Sequence, residues 1–337
     1  MQNFLYIHSN TGDFMSSWHQ ARVKIIEGLG YTVTLVNMTD YINPVMFPEL
    51  NKLWRRKDSR LINLYNKLEP SLKSNDILLH FGGALIHPEF LQRFNLLKIY
   101  HCADDPDSSE ILSKPVATSY DLCAISNPSV IEMYKSWGCE NVSFWPLGGF
   151  YLGEHDSLID FNKRKNDLSF LGSKYGVPTM RYVTRIPIIG NLDVFWNKKS
   201  FFNSLEKSFP DIKAYGPYWK NGFLAHEKVS NLFNDTKIGI NLHNSLGPIN
   251  SRLYDLPAHG VLQICDNKKK LSQVFELDKE IIGYDTLDEA KYLINYYLKE
   301  NEQAERIANA GQLRYIKDYT QENIIKKLIK IIDDIKK

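Results

Sequence analysis

The sequence predicts an α/β protein with two Rossmann-like domains and a C-terminal amphipathic helix. Short apolar or β-branched runs alternate with helical stretches up to about residue 145, which is typical of a doubly wound parallel sheet. A polar, glycine-containing break follows, and a second alternating series begins after it. The chain has 337 residues, and since domains usually run about 100–200 residues, this length favours two of them.

The composition is that of an ordinary globular protein. Hydrophobic residues make up 43% and charged residues 24% of the chain, which excludes a disordered or fibrous protein. The 41 basic and 39 acidic residues leave a formal charge of +2, which argues against binding nucleic acid through a broad basic face. The sequence starts without a signal-peptide pattern and contains no apolar run of about 20 residues, so we expect a soluble, cytoplasmic protein without a transmembrane segment.

The four cysteines are scattered through the chain (Cys102, Cys123, Cys139 and Cys265). They form no CxxC pair and have no metal-ligand spacing. This pattern favours reduced thiols in a cytosolic protein over a disulfide framework or a zinc site.

The first domain is predicted over residues 1–150. Phe4–His8 is an apolar strand, a helix runs from Trp18 to Leu29 and ends at Gly30, and Thr32–Asn37 is β-branched. Parallel strands joined by a helix place the first loop at the carboxyl edge of the sheet. Similar strand-loop units recur, with strands expected at 76–80, 98–101, 121–125 and 142–145.

A linker is predicted over 151–166 and a second domain over 167–318. Its strands are expected at 167–171, 212–215, 237–242, 261–264 and 281–284. Thr286 and Glu289 form a capping box before another helix. Residues 319–337 are predicted as a helix with one apolar face, which is expected to pack back on the N-terminal domain. That face carries Ile324, Ile325, Leu328, Ile332 and Ile335.

The loops that follow the predicted strands are rich in Gly, Asn, His, Asp and Ser. Ligands of such sheets bind outside the carboxyl ends of the strands, so we expect these loops to face a central cleft. Gly and Asn are also ordinary turn residues, so loop composition alone leaves ligand binding and plain turn formation both open.

Residues 236–330 resemble the C-terminal domain of family-1-type glycosyltransferases, most closely the group related to the spore-maturation protein CgeB. The matching positions are Asn241, Leu242, His243, Arg252, Asp255, Pro257, Ala258, Gly260, Glu280, Tyr284, Glu305, Arg306, Ala308 and Gly311. Segments 167–173 and 211–222, and parts of the N-terminal half, look like the same family. The family commonly has Glu where this chain has Asp255, and residues 175–196 look longer than its usual connection.

The resemblance implies a GT-B fold, with a nucleotide-sugar donor on the second domain and an acceptor on the first. It implies a hexosyl- or pentosyltransferase that needs no cofactor and no metal, with a UDP-, GDP- or dTDP-sugar as co-substrate. The implied acceptor is a hydroxyl of a glycan, a protein, a small molecule or a modified DNA base. The basic run Arg55, Arg56, Lys57 and Arg60 keeps DNA open, although such a run is usually a solvated helix face.

The expected donor-binding residues follow strands of the second domain. Arg252 is the first candidate for the diphosphate because a guanidinium binds phosphate oxygens bidentately, and Lys174 is the second. An Asp255 carboxylate is expected to accept hydrogen bonds from the ribose. The remaining donor-side candidates are Gly172, Ser173, Gly216, Trp219, His243 and Asn244; of these, Gly216 and Trp219 are expected to form a wall for the base.

The expected catalytic residues follow a strand of the first domain. Asp105 is the candidate general base, because a carboxylate in a cleft can take the acceptor proton, with Asp104 in reserve and His101 as the alternative. A carboxylate before proline is also common in turns. His8, Asn10, Gly12 and Asp13 on the first loop are expected on the acceptor side.

Three other interpretations follow from the same residues. Asp105-Pro106-Asp107 is a D-x-D, which holds a metal in GT-A glycosyltransferases, but two α/β series do not suit a single GT-A domain. A nucleotide-sugar epimerase of similar fold would use the donor without an acceptor. A non-catalytic sugar-nucleotide-binding protein would bind the donor without turnover.

Overall fold

The computed structural model describes most of the chain. The described residues are 2–9, 12–43, 45–82, 86–103, 105–106, 109–153, 160–174, 188–243, 249–266 and 271–336, with only the backbone described for 188–197. Asn10, Asp104 and Asn244 lie outside them, as does most of the unassigned segment 175–196.

The chain divides into two compact units. The N-terminal unit comprises Met1–Leu147 together with Gln321–Lys337, and the C-terminal unit comprises Gly148–Thr320. The last helix is therefore part of the unit formed by the first 147 residues.

Strands and helices alternate along both units. The described strands are β1 (Asn3–His8), β2 (Thr32–Asn37), β3 (Ile77–Phe81), β4 (Leu97–His101), β5 (Leu122–Ile125), β6 (Val142–Phe144), β7 (Asn166–Leu171), β8 (Lys213–Tyr215), β9 (Thr236–Asn241), β10 (Leu262–Cys265) and β11 (Ile282–Gly283). The described helices are α1 (Asp13–Gly28), α2 (Phe47–Arg55), α3 (Ser59–Ser74), α4 (Pro88–Leu91), α5 (Ile131–Ser136), α6 (Ile188–Ser208), α7 (Val229–Asn234), α8 (Arg252–Ala258), α9 (Leu287–Tyr297), α10 (Asn301–Asp318) and α11 (Gln321–Ile335).

Each unit has its own parallel sheet. The strand order is β2-β1-β3-β4-β5-β6 in the N-terminal unit and β11-β10-β9-β7-β8 in the C-terminal unit. All these strand pairs are parallel. The fold class predicted from the alternation, two Rossmann-like α/β domains, is confirmed.

Local signals place several helix ends where the sequence predicts them. Gly30 has φ 91°, and the Tyr31 amide donates to the Ile26 carbonyl at 3.4 Å, which closes the last turn of α1. Thr286 Oγ1 accepts from the Glu289 amide at 3.1 Å at the start of α9. The Glu289 carboxylate accepts from the Asp285 amide at 2.7 Å, so both halves of a capping arrangement form.

Helices α2 and α3 occupy the stretch between β2 and β3, for which the sequence reading assigned no element. α3 buries an i, i+3, i+4 stripe that includes Leu61, Leu64, Leu68 and Leu72. Pro70 lies inside α3 and hides this pattern from a reading that takes proline as a helix end.

Helix α11 packs against α1 in the N-terminal unit. Ile324, Ile325, Leu328 and Ile332 are buried. The Trp145 indole N–H donates to the Ile324 carbonyl at 2.9 Å, linking the end of β6 to this helix. In the described part of the chain, no helix combines the length and the apolar character that crossing a bilayer requires.

Candidate functional site

The carboxyl edge of the C-terminal sheet brings two glycine loops into contact. The Gly172 amide donates to the Tyr215 carbonyl at 2.9 Å. Gly216 has φ 127°, and a Cβ atom there would lie 2.4 Å from the Gly172 carbonyl oxygen. Only glycine allows the loops after β7 and β8 to approach this closely.

Trp219 binds the junction between the two glycine loops. Its indole N–H donates to the Gly172 carbonyl at 2.8 Å. The ring packs on Phe170 and Phe202 and is 6% exposed. Trp219 therefore belongs to the core, and its ring does not present the open wall for a base that the sequence suggested.

Lys174 lies beside Trp219, with its ammonium nitrogen 5.2 Å from the ring centroid. The ammonium forms an ion pair with Glu206, and 11% of the lysine side chain is exposed. This ion pair neutralises the positive charge of Lys174, which the sequence predicts to bind the donor diphosphate. Ser173 lies between Lys174 and Gly172 in the same loop.

Arg252, the first residue of α8, joins the ends of β7 and β9. Its Nη1 donates to the Leu171 carbonyl and its Nη2 to the Leu242 carbonyl, both at 2.9 Å, and its Nε donates to Asn241 Oδ1 at 3.1 Å. Burial lowers the pKa of Arg252, and the charge of Asp266 opposes that shift. Three of its five N–H groups are thus bound to protein oxygens.

Asn241, at the end of β9, is the centre of this network. Its side chain is fully buried and donates to Gln263 Oε1 at 2.8 Å, while Asn250 donates to its Oδ1 at 2.9 Å. The Tyr284 hydroxyl donates to its carbonyl at 3.0 Å. The network holds the ends of β9 and β10 in one arrangement.

His243 and Asp266 form a pair at the ends of these two strands. His243 Nδ1 lies 2.5 Å from Asp266 Oδ1, and the His243 amide donates to Asp266 Oδ2 at 3.0 Å. His243 Nε2 is buried and has no hydrogen-bond partner among the described residues. Sequence reasoning missed Asp266, although it lies two residues after a predicted strand (261–264), at the same sheet edge as His243, which directly follows the predicted strand 237–242.

Within the described residues, the donor atoms of His243, Cys265 and Asp266 lie close enough together to hold a metal. These atoms lie within 4.8 Å of one another. Both carboxylate oxygens of Asp266 already accept from His243, and Arg252 lies close enough for its charge to act on this group. A neighbouring guanidinium disfavours a bound cation.

Asp255 turns toward the chain segment that enters the C-terminal unit. Its Oδ1 accepts from the Phe150 amide at 2.6 Å and from the Tyr151 amide at 3.3 Å. A Cβ on Gly149 would lie 2.4 Å from the same oxygen. Burial raises the pKa of Asp255 to about 7, against the opposing effects of the two amides and of Arg252.

In the N-terminal unit, Asp105 follows β4 and is 5% exposed. Its Oδ2 accepts from the Ser113 hydroxyl at 2.7 Å and from the Tyr134 hydroxyl. His101 is fully buried, with Nδ1 2.6 Å from the Ala124 carbonyl oxygen. Burial lowers the pKa of His101 to about 3. Neither side chain lies open to solvent.

The acceptor-side candidates at the end of β1 differ in exposure. His8 is buried and stacks on His19, with ring centroids 3.9 Å apart. Burial lowers the pKa of His8 to about 4. Gly12 (φ 92°) and Asp13 are exposed where α1 begins.

Sequence reasoning missed a buried arginine near these histidines. Arg22 is fully buried, and its guanidinium carbon lies 4.6 Å from the Trp18 ring, 4.7 Å from Trp145 and 5.2 Å from Phe81. Burial lowers the pKa of Arg22, and the nearby Tyr6 opposes this shift. Arg22 lies four residues after Trp18, one turn along α1. This spacing is the only local signal in the sequence that the two side chains are in contact.

Comparison with known proteins identifies related sequences and folds. Residues 194–330 match the protein family described as glycosyl transferase-like. That segment contains Gly216, His243, Arg252, Asp255 and Asp266. None of the curated proteins matches the sequence significantly.

The fold is similar to several solved structures. HepE of Anabaena in complex with UDP-glucose has a TM-score of 0.61 and 10% identity, covering 99% of this chain and 100% of its own. Sucrose-phosphate synthase of Thermosynechococcus elongatus has a TM-score of 0.64 and 10% identity, covering 99% of each chain. A protein assigned as a UDP-N-acetylglucosamine 2-epimerase in Listeria monocytogenes has a TM-score of 0.57 and 12% identity, covering 98% of this chain and 95% of its own.

These comparisons confirm the predicted resemblance to glycosyltransferases and the predicted GT-B fold class. The relation to the CgeB group stays a prediction.

Proposed function

We propose that this protein is a glycosyltransferase that moves a sugar from a nucleotide-sugar donor to an acceptor hydroxyl. One observation carries the proposal: the segment that matches the glycosyl transferase-like family, 194–330, contains Asn241, His243, Arg252 and Asp266, which lie at the carboxyl edge of the C-terminal sheet. Ligands of parallel α/β sheets bind at this edge. The similar HepE structures hold UDP and UDP-glucose.

The donor diphosphate is proposed to bind beside His243. Its buried Nε2 has no protein partner among the described residues, and Asp266 holds the other ring nitrogen. A carboxylate on Nδ1 orients an imidazole, and an imidazole held in this way donates from Nε2 to a phosphate oxygen when Nε2 carries a proton. Such a donor would stabilise the charge that develops as the diphosphate leaves.

Arg252 is proposed to shape this site. Because the Leu171 and Leu242 carbonyls bind its Nη atoms, it holds the ends of β7 and β9 together. The described residues leave two of its five N–H groups available for a phosphate. We assign Asp255 to holding the amides of Phe150 and Tyr151 in place of the ribose contact inferred from the resemblance.

Acceptor binding is proposed for the N-terminal unit, at the carboxyl edge of its sheet near Gly12 and Asp13. Asp13 is an exposed carboxylate on this edge. Asp105 accepts from two buried hydroxyls, a geometry that supports holding the loop after β4 more than taking a proton from an acceptor.

A donor screen tests the proposal. UDP-, GDP- and dTDP-sugars are titrated into the full chain, and binding is measured by thermal shift and calorimetry. We expect one class to raise the melting temperature, and His243→Ala to weaken its binding at least tenfold. His226→Ala, a change at an exposed histidine of the same unit, serves as the matched control and is expected to leave binding unchanged. If no nucleotide-sugar binds, or both variants bind it like the wild type, the proposed donor site is wrong.

The proposed transfer is independent of metal. We expect nucleoside diphosphate release from the bound donor to persist in EDTA, because the Arg252 guanidinium supplies positive charge and His243 can form a hydrogen bond to the leaving group. Loss of release in EDTA and its return with a divalent cation would instead assign a metal to His243, Cys265 and Asp266.

An epimerase is the second candidate, favoured by the fold shared with the Listeria monocytogenes protein. It predicts a new sugar isomer in the NMR spectrum of donor incubated with the protein alone. Unchanged donor under those conditions, with transfer once an acceptor is added, decides for the glycosyltransferase. Binding without either reaction would identify a non-catalytic sugar-nucleotide-binding protein.

A further inference from the structure

A pocket of about 450 Å³ opens between α2, α3 and α4 in the N-terminal unit. We call it the Trp54 pocket; residues that line it include Trp54, Arg55, Lys57, Tyr65, Phe90 and Arg93. Its volume lies in the range of about 300–1,000 Å³ that small-molecule sites occupy. None of the residues assigned to donor or acceptor binding lines it.

One wall of the pocket is aromatic. Tyr65 and Phe90 stack with ring centroids 4.1 Å apart and an interplanar angle of 11°, and both are almost fully buried. The Trp54 ring lies 5.8 Å from Tyr65 and is partly exposed. Tyr65 and Phe90 leave almost no surface exposed, so Trp54 is the member of this wall that offers ring surface to a ligand.

The rim of the pocket is cationic. Arg55, Lys57 and Arg93 are exposed, and none of them forms an ion pair within the described ranges of the chain. The Arg93 guanidinium lies 5.3 Å from the Trp54 ring and 5.8 Å from the Phe90 ring, which holds it over the aromatic wall.

The two acidic residues of the pocket have other partners. Glu89 Oε2 accepts from the Trp54 indole N–H at 2.8 Å, and Glu69 forms an ion pair with Lys73. Nearby cations outside the pocket are paired too, since Lys52 binds Glu49 and Arg60 binds Asp58. Glu89 keeps its negative charge, because an indole N–H is neutral, so the three cations Arg55, Lys57 and Arg93 exceed the unpaired carboxylate by two charges.

Lys57 adopts a backbone conformation that favours glycine. Its φ is 52°, and its amide donates to the Trp54 carbonyl at 3.0 Å, just after the end of α2. Glycine is the residue best suited to this position at a helix end, because other residues adopt positive φ only at a cost. A lysine here is explained if its ammonium binds a ligand.

We propose that the Trp54 pocket binds a phosphate-bearing aromatic ligand of about the size of one nucleotide. The ring would contact the aromatic wall, and the phosphate would bind Arg55, Lys57 and Arg93, since guanidinium groups match phosphate oxygens bidentately. Free mononucleotides and single-stranded nucleic acid share this chemistry. The inference goes beyond the proposed function, because it concerns a separate pocket and requires no sugar transfer.

Calorimetry on the full chain tests this with phenyl phosphate, which has a ring and a phosphate but no nucleoside. We expect phenyl phosphate to bind at least tenfold more tightly than inorganic phosphate or benzyl alcohol. Lys57→Gly is expected to weaken this binding at least tenfold while the melting temperature stays equal or rises, because glycine relieves the positive φ. Lys52→Ser, on α2 and outside the pocket, is the matched control and should bind like the wild type.

The source of the ligand is tested with thymidine monophosphate and a ten-residue oligothymidylate. If the pocket is responsible, Lys57→Gly and Arg55→Ser reduce the binding of whichever probe is held more tightly. Tighter binding of the oligomer, weakened by salt, assigns the pocket to single strands, and equal binding assigns it to free nucleotides. The proposal is overturned if phenyl phosphate fails to bind at 10 mM, a concentration at the weak end of the affinity scale, about 3 kcal/mol. It is also overturned if Lys57→Gly and Arg55→Ser leave the affinity for phenyl phosphate unchanged.

Discussion

At the scale of single residues, the partners of a buried polar group decide what that group can do. Asp105 and Arg252 are both expected catalytic or binding residues by type and position. In the structure Asp105 accepts from the Ser113 and Tyr134 hydroxyls, and Arg252 donates to two backbone carbonyls. Both side chains therefore use hydrogen-bonding groups to hold loops in place.

Asp105→Asn separates the two roles of this carboxylate. Because the change disturbs hydrogen bonds from two buried hydroxyls, we expect the free energy of unfolding to fall by about 1–3 kcal/mol, measured by urea denaturation. Donor turnover by the folded variant is expected to stay within about tenfold of the wild type, because Asp105 is not the general base. Loss of a general base would instead lower the rate by about 10²–10⁴-fold. A loss of that size with unchanged stability would restore Asp105 as the base.

Gly216→Ala tests the contact between the two glycine loops. A Cβ at this position would lie 2.4 Å from the Gly172 carbonyl oxygen, and the backbone has φ 127°. We expect a loss of about 2 kcal/mol or more in the free energy of unfolding, together with weaker donor binding. Gly222→Ala is the control, because its φ is 64° but nothing lies within 4 Å of the added atom. It should cost only about 1–2 kcal/mol, from the backbone conformation alone. Equal losses in both variants would show that the close approach does not matter.

At the scale of elements, α11 belongs to the N-terminal unit although it follows the whole C-terminal unit. Its apolar stripe predicts a buried face, and the structure buries that face in the unit that contains α1. The Trp145 bond to the Ile324 carbonyl adds a fixed contact. The N-terminal unit is therefore complete only when the last residues of the described chain are present.

Truncation after Thr320 tests this dependence. Removing four buried Ile and Leu side chains, each contributing about 1.5–3 kcal/mol, should destabilise the N-terminal unit by more than about 5 kcal/mol. Hydrogen exchange followed by mass spectrometry should show lost protection in β1 and α1, with the C-terminal sheet retained. Removal of Lys336 and Lys337 alone is the control; it removes an exposed hydrogen bond from Lys336 to Gln2 and should leave the protection of β1 and α1 intact. Retained protection of α1 after the long truncation would contradict the assignment.

At the scale of the whole molecule, the two units respond to pH in opposite directions. Burial lowers the pKa of His8 and His80 to about 4, of His101 to about 3 and of His19 to about 2, all in the N-terminal unit. An unfolded histidine has a pKa near 6.5, so below that pH the unfolded state binds protons that the folded state does not. Acid therefore destabilises this unit.

Asp255 acts in the other direction in the C-terminal unit. Its pKa is raised to about 7, whereas an unfolded aspartate has a pKa of about 3.9. Between these values the folded state holds the extra proton, so this residue's contribution to stability falls as the pH rises from about 4 to 7.

We expect the N-terminal unit to lose hydrogen-exchange protection between pH 7 and 5, after correction for the intrinsic exchange rate, while the C-terminal unit keeps its protection. His101→Gln should reduce the acid sensitivity of the N-terminal unit, because a glutamine does not titrate. Asp255→Asn should flatten the pH dependence of the C-terminal unit between pH 4 and 7. Parallel loss of protection in both units would contradict this account.

Local patterns are enough to predict much of this architecture. The alternation of apolar strands and helices predicts two parallel sheets, and the rule that parallel strands end at one edge predicts that Gly172, Gly216 and His243 lie at the same edge. Such predictions succeed because they depend on residues close together in the chain.

The sequence by itself determined the order of the strands, the two sheets and the edge of each sheet that bears loop residues. Only the tertiary structure decided that Asp266 binds His243, that Asp255 binds the amides of Phe150 and Tyr151, and that Trp219 is buried. The His243–Asp266 pair joins positions 23 residues apart and the Asp255–Phe150 bond joins positions 105 apart. Periodicity does not encode such pairs, because side-chain packing between neighbouring strands and loops sets them.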